Sequence, residues 1–404
     1  MIANILSKWR QIAAVVAAVK LFAMLVEPPS GELLRWSLGA SLALQSLSAG
    51  RLPSISATGP YGMMFVALTP FFLVWTALPV PHPSSAVMAC LCCDPSCNNQ
   101  AALAALTGLA AVMKVPNFLF DFLAGVLIYR LVERVTGSQL KASFGFLAWY
   151  MNPFNFGWLY LYGYIGDLIP ATIVVYAVTL ASDGKGLRCG FFTAIASVLR
   201  IFPIVTLPFL LLKARTGAER WSLRLLVGFI SPVLLWLATE FATTHATFST
   251  IVAVPFEWSY LLDLVNPNIP GLFVKWTPVI IASQFYLILR FWKSGPSAVH
   301  LATVSILALL LGAGPIFQQN LFLWVSPLLS ICLALHPDEI WIYALTFSTD
   351  ITCDYCGFLS GYTILGNLVP HGGWEWLPNL TIAGAFYAFK AAYLVKLNLE
   401  CVLH

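Results

Sequence analysis

Charge is what this sequence has least of. Only 9% of its 404 residues are charged and 59% are hydrophobic, where a soluble globular domain carries roughly 25% charged residues. An ordinary water-soluble fold is excluded. Polar–apolar alternation is missing too. The apolar runs are continuous, which argues for membrane helices rather than a closed β-barrel. No basic patch for nucleic acid stands out, because the net charge of +4 is small and spread along the chain. No tight Asp-x-Asp pair is present to hold a metal. No small-residue cleavage site follows Lys8 and Arg10, so the first apolar run reads as a span rather than a signal peptide. The paired C-x-x-C spacing of a zinc ribbon is lacking around Cys90, Cys92, Cys93 and Cys97. Zinc is the lesser reading there, and a flexible or lipid-modified loop the favoured one.

What is present is a series of apolar runs. Candidate spans fall at 11–26, 61–81, 101–114, 116–133, 142–158, 166–182, 188–200, 203–213, 222–242, 271–291, 298–313, 318–335, 338–352 and 377–396. Several are too short for about 30 Å of hydrocarbon at 1.5 Å per residue. The expectation is therefore an all-α polytopic membrane protein of roughly 10–14 spanning or half-spanning helices. It forms one membrane domain over 1–404, with a main half at 11–242, an outer loop at 27–60 and variable C-terminal helices at 243–404. Lysine and arginine placement orients it. Arg130, Arg134, Lys141, Lys185, Arg188, Lys213, Arg215, Arg220, Arg224, Arg290 and Lys293 fall on one side with both termini, the cytoplasmic side. The loop 243–270 has no Lys or Arg and falls outside; so does Cys353-x-x-Cys356, read as a structural disulfide or without a role. The Cys90–Cys97 loop falls inside. No retrieval signal closes Glu400–His404, so a plasma membrane is expected ahead of an endoplasmic reticulum.

Charges within apolar runs mark function by default. Two stretches resemble one another: Met113-Lys114-Val115-Pro116, and Leu199-Arg200-Ile201-Phe202-Pro203. In each a lone cation and a proline interrupt an apolar hairpin on the outer side. Proline breaks or kinks the helix, and Lys114 and Arg200 then point into one outward cavity, unless each simply snorkels to the interface. Asp121 and Asp167 are acids within apolar runs. Asn152-Pro153 separates two such runs. The outer loop begins as an amphipathic helix with Leu33, Leu34, Leu38, Leu42 and Leu44 apolar, fit to lie in the interface plane. It carries Glu32, Arg35 and Arg51; Glu32 either has a chemical role or complements the helix dipole. Gln318, Gln319 and Asn320 open a later span, to bind sugar hydroxyls or neighbouring helices.

In order along roughly 10–335, these residues resemble the GT-C superfamily of membrane glycosyltransferases. The chain is most similar to family 87-type mannosyltransferases that use polyprenyl-phosphate-mannose. The resemblance rests on Glu32-Leu33, Trp36, Gly39-Ala40, Gly50-Arg51-Leu52-Pro53 and Gly59-Pro60-Tyr61. It continues through Asp121, Asn152-Pro153, Gly163…Asp167, Arg200, Pro203, Pro208, Gln318, Gln319, Trp324 and Pro327. The chain has Glu32 where the family has Asp, Ile165 where Gln is frequent, and Arg200 where Lys is frequent.

The resemblance implies inverting transfer of a hexose, expected to be mannose, from a polyprenyl-phosphate donor to a lipid-linked or glycan acceptor at the outer or lumenal face. Such chemistry needs a carboxylate within about 3 Å of the acceptor hydroxyl, cations on the leaving phosphate, and a groove for the lipid. Glu32 and Asp167 are the catalytic candidates. Arg200, Lys114 and Arg51 are candidates for the donor phosphate, and Asn152, Gln318 and Gln319 for sugar or acceptor. Asp121 is read as a structural acid paired with Lys114 or Arg200. No metal ligand is identified, and a divalent cation stays open as a cofactor. Two alternatives remain: a non-catalytic subunit of a membrane complex with the same bundle, which the Asp-to-Glu exchange and the missing Gln favour, and a transporter, whose substrate path broken helices with charges at depth would suit.

Overall fold

The computed structural model describes residues 8–27, 31–51, 62–79, 82, 106–161, 163–200, 202–213, 220–244, 272–292, 297–312, 319–340 and 344. Every regular element among them is helical. In chain order these are α1 (Trp9–Val26), α2 (Gly31–Ser48), α3 (Gly62–Ala77), α4 (Thr107–Met113), α5 (Val115–Thr136), α6 (Gln139–Tyr150), α7 (Leu168–Ser182), α8 (Gly186–Leu199), α9 (Thr206–Lys213), α10 (Trp221–Thr244), α11 (Leu272–Phe291), α12 (Ala298–Gly312) and α13 (Ser326–Leu335). Among the described residues three helical stretches are long and apolar enough to cross a membrane: Trp9–Val26, Thr107–Thr136 and Trp221–Thr239. The remaining apolar helices are shorter. The Cys90–Cys97 loop, Cys353, Cys356 and the expected span at 377–396 lie outside the described residues.

The two cation–proline motifs fold differently, and one expectation is corrected. Residues 101–114 and 116–133 were expected to form a hairpin. Instead α4 runs into α5 through Lys114, whose N–H donates to Ala110 O at 3.0 Å and whose carbonyl accepts from Phe118 N at 3.1 Å. Pro116 falls in the first turn of α5, where its fixed φ suits a helix and its missing N–H removes a single bond. The result is one 30-residue stretch. Lys114 then stands about 24 Å along the axis from Arg130, close to the full thickness of a hydrocarbon layer. At Arg200 the chain does break. Arg200 is extended, with φ −154° and ψ 130°, and a 3₁₀ turn at Phe202–Val205 leads into α9.

Two apolar clusters form. The larger one joins α1, α5–α10 and α11–α13 around residues such as Phe146, Trp149, Tyr160, Phe209, Leu307 and Leu328. The smaller one joins α2, α3, α4 and the start of α7 around Leu33, Trp36, Phe65, Trp75, Leu109, Met113 and Ile169. Here the expected face of α2 needs correction. Leu33, Leu34, Trp36, Ser37, Ala40 and Ala43 are buried, while Leu42 is 40% exposed. This stripe repeats at three and four residues, and Gly39 permits the approach of the Phe65 ring, which would otherwise meet a Cβ at 2.3 Å. Protein, rather than an interface plane, covers this face of α2.

Contacts align the helix ends. Trp9 stacks on Tyr129, and Arg134 is bonded to Asp183. Gly186 abuts the backbone of Trp221, and Lys141 Nζ donates to Leu335 O at 3.4 Å. Together these bring Lys8, Arg10, Arg130, Arg134, Lys141, Lys185, Arg188, Arg220 and Arg224 to one end of the bundle. There Asp183 accepts from both Lys185 and Arg134. Burial alone would raise its carboxyl, but the two hydrogen bonds and the positive charges outweigh that and hold it below the usual range.

Candidate polar centre

The segment from Asn152 to Asp167 organises the buried polar groups. Asn152 starts it as a cap, its Oδ1 accepting from Phe154 N at 2.9 Å, with Pro153 in the first helical turn. A four-residue helical turn, Pro153–Phe156, leads into a π segment, Gly157–Leu161; such wide turns are common at functional sites. Asn155 pins the start, donating to Trp149 O at 3.2 Å and accepting from Ser326 Oγ at 2.9 Å. Asn117 of α5 pins the far end, donating to Leu159 O at 2.8 Å and Tyr164 O at 3.2 Å. Gly163 then takes φ +66°, a region that favours glycine.

Asp167 and Arg200 meet. Arg200 Nε donates to Asp167 Oδ1 at 2.6 Å, and its NH2 group donates to Tyr164 Oη at 3.2 Å. Asp167 is fully buried and Arg200 is 6% exposed. The guanidinium lies 5.9 Å from the Trp324 ring centre, and Trp324 stacks on Phe202 at 4.2 Å. Asp167 Oδ2 and Trp324 Nε1 are buried without a hydrogen-bond partner among the described residues. The break at Arg200 thus has a local cause: an extended residue turns the guanidinium onto Asp167 at the start of α7.

Lys114 reaches the same segment from α5. It is fully buried, and a Cβ on Gly163 would lie 3.1 Å from its Cε. Its Nζ donates to Glu27 O at a long 3.4 Å. Burial raises the carboxyl of Glu27, just past the end of α1, above its ordinary range, and the positive charge of Lys114 opposes that rise. The start of α2 closes the arrangement. Leu33 packs on Gly163, and the Trp36 ring occupies the space a Gly166 side chain would need.

Asp121 lies in a second pair, with a partner the sequence reading did not consider. Lys20 Nζ donates to Asp121 Oδ2 at 2.6 Å, so the expected pairing with Lys114 or Arg200 is corrected. Tyr160 Oη donates to the same oxygen at 2.8 Å, and Trp149 Nε1 donates to the Asp121 carbonyl at 2.9 Å. The Lys20 ammonium also sits 3.6 Å from the Tyr150 ring centre, a cation–π contact. Lys20 lies mid-run in α1 and carried the same signal, a charge inside an apolar run, that singled out Asp121. Asn117 was also missed, and a lone amide on a helix gives little warning of its role.

The other candidates divide. Arg51 is exposed beyond the C-terminal end of α2, about 25 Å along that helix from Leu33, so it does not join Lys114 and Arg200. Lys114 and Arg200 both reach the 163–167 segment, Lys114 beside Gly163 and Arg200 on Tyr164 and Asp167. The side chains of Glu32 and Gln319, and all of Gln318, lie outside the described residues. Among the described residues no group of three His, Cys, Asp or Glu side chains is arranged to hold a metal. Comparison with protein-family models, with curated proteins and with solved structures gives no match.

Proposed function

We propose that this chain is a multi-pass membrane protein with a glycosyltransferase-like bundle that acts as a non-catalytic subunit of a membrane complex. The observation that carries this reading is the state of the deep acids. Asp121 and Asp167 are each bonded to a buried cation. Each pair engages one carboxylate oxygen, Asp121 Oδ2 and Asp167 Oδ1, and leaves Asp121 Oδ1 and Asp167 Oδ2 without a partner among the described residues. A fully buried acid held this way is placed to neutralise its cation rather than to meet an acceptor hydroxyl, which a general base must reach. The same pair occupies Arg200, the cation expected to hold a leaving phosphate. The departures at Glu32, Ile165 and Arg200 point the same way. On the positive-inside rule the basic end is cytoplasmic, and the polar centre is reached from the opposite side.

One observation favours the second reading, a membrane glycosyltransferase moving a hexose from polyprenyl phosphate to a lipid or glycan acceptor. Leu33 packs on Gly163 beside Lys114, so the start of α2, where Glu32 lies, adjoins the polar centre. Lys114, with a single long hydrogen bond among the described residues, retains donors for a phosphate. Glu32 would then be the base.

The test is sugar transfer by purified protein in nanodiscs, given short-chain polyprenyl-phosphate-mannose and a lipid extract of its host. Glu32→Gln runs beside it, and the mass of the species extracted from native membranes is measured in parallel. The subunit reading expects no product and a species well above 44.2 kDa. Product from the native chain and none from folded Glu32→Gln overturns it in favour of the transferase. Product from both makes it a transferase with a different base.

A further inference from the structure

The basic end carries a feature that the polar centre does not use. Helices α8 and α10 lie side by side and run in the same direction, since Gly186 abuts Trp221 and Gly190 abuts Leu225. Their backbones nearly touch. A Cβ on Gly190 would fall 2.0 Å from Leu225 O, and one on Gly228 would fall 2.0 Å from Leu187 O. Gly186 and Gly190, spaced as G-x-x-x-G, are the small-residue spacing that lets membrane helices approach closely. Apart from this contact α10 is poorly covered: only 17% of its span is buried.

Arg220, Arg224 and Gly228 follow one another a turn apart along a single stripe. Gly228 abuts the backbone of Leu187 and Phe191. The stripe therefore leads from two exposed arginines at the basic end into a shallow groove walled by Leu187 and Phe191 of α8 and by Val227 of α10. Leu187 is 50%, Phe191 42% and Val227 51% exposed. Neither arginine has a carboxylate partner among the described residues.

We propose that this flank seats an anionic phospholipid, its phosphate on Arg220 and Arg224 and an acyl chain along Leu187, Phe191 and Val227. Charge complementarity and position choose the occupant. The arginines stand at the start of a helix long and apolar enough to cross a membrane, and the groove follows them along its apolar length, the order in which a headgroup and its acyl chain would lie. Juxtamembrane cations attract anionic headgroups, but a dispersed charge would not favour one flank over another. Arg188 supplies the contrast. It lies two residues past Gly186, about 200° round α8, and so faces away from the groove.

The experiment is native mass spectrometry and equilibrium lipid binding with the full chain, using phosphatidylserine and phosphatidylcholine, and with inorganic phosphate as competitor. The expected result is preferential retention of phosphatidylserine, weakened about thirtyfold in Arg220→Gln/Arg224→Gln and little changed in Arg188→Gln, with all variants equal in thermal unfolding. Val227→Trp, which crowds the acyl wall at an exposed position, is expected to weaken lipid binding while leaving phosphate binding intact. Equal loss in Arg188→Gln would mean diffuse charge only and overturn the site. Equal retention of phosphatidylcholine, or full displacement by millimolar phosphate, would overturn the lipid as occupant.

Discussion

Two buried ion pairs hang from one short segment of this protein, and their differences are instructive. Tyr160 serves Lys20–Asp121, and Tyr164, four residues on, serves Arg200–Asp167. The first pair is built between unbroken helices. Lys20 is mid-helix in α1 and Asp121 mid-helix in α5, with Tyr150, Trp149 and Tyr160 around them. The second is built at two chain breaks, the turn before α7 and the extended residue after α8. A pair between intact helices fixes how the spans pack. A pair at broken ends holds backbone that would otherwise be free to rearrange, and it sits next to Gly163, Lys114 and the start of α2. The first pair joins intact helices, and the second holds the two chain breaks beside Lys114 and the start of α2.

Breaking the first pair is expected to have the largest effect. Asp121→Ala strands the Lys20 ammonium in the core, at a cost of about 3–5 kcal/mol, measured by denaturant or thermal unfolding in detergent. The double change Lys20→Met/Asp121→Leu should recover most of that loss, because apolar replacements of similar volume are tolerated where a stranded charge is not. If the double variant is as unstable as the single, the pair does more than neutralise.

Next comes the close packing beside the second pair. Gly166→Ala would place a methyl 2.2 Å from the Trp36 ring and is expected to cost about 1–3 kcal/mol. Loss of indole order, seen by tryptophan fluorescence, should accompany it, since α2 must shift. Arg200→Lys is expected to cost about 1–2 kcal/mol, because an ammonium keeps the Asp167 charge company but does not reproduce the fork that reaches Tyr164 as well. If the second pair is the functional one, this variant loses assembly or activity out of proportion to its stability, whereas Tyr160→Phe at the first pair does not.

The smallest effect belongs to the exposed cluster at the basic end. Asp183→Asn should cost no more than about 1 kcal/mol, because Arg134 is 52% exposed and screened. The sign with pH follows from a carboxyl held below its ordinary value near 3.8. Its contribution is present above that value and fades as pH falls through the lower folded value. A stability difference between native chain and variant that does not shrink as pH is lowered below 3.8 would rule out this assignment.

Much of this was legible in the residues. Asp121, Asp167, Lys114 and Arg200 stand out because a charge among apolar residues is costly wherever it is placed, and all four are buried at polar contacts. Asn152-Pro153 separates two apolar runs, and α6 ends just before it while a new helical turn begins at Pro153, inside the expected span 142–158. Other features were not legible. Lys114-Val115-Pro116 and Arg200-Ile201-Phe202-Pro203 look alike as strings, yet one continues a helix and the other ends one. The difference lies in whether a partner rewards the break: Arg200 has Asp167 and Tyr164 to turn toward, while Lys114 keeps its helical bonds and reaches Glu27 from within them. The buried face of α2 was misjudged for a related reason. Leucine count pointed to Leu42, whereas Gly39 faces Phe65 because a residue without a side chain lets a neighbouring helix in.

Sequence alone determined the helical class, the long apolar spans and the groups that could not be left in the core without a partner, since these follow from composition and from desolvation cost at each position. It also determined that cations alternate with apolar runs. Only the tertiary structure decided which charge meets which: Lys20 with Asp121 across 101 residues, and Arg200 with Asp167 across 33. The gathering of Arg130, Arg134, Lys141, Lys185, Arg188, Arg220 and Arg224 at one end was already expected from their placement along the chain. Pairing is a property of distance in space, and helices that pack by the shape of small residues such as Gly166, Gly190 and Gly228 set those distances in a way no local pattern encodes.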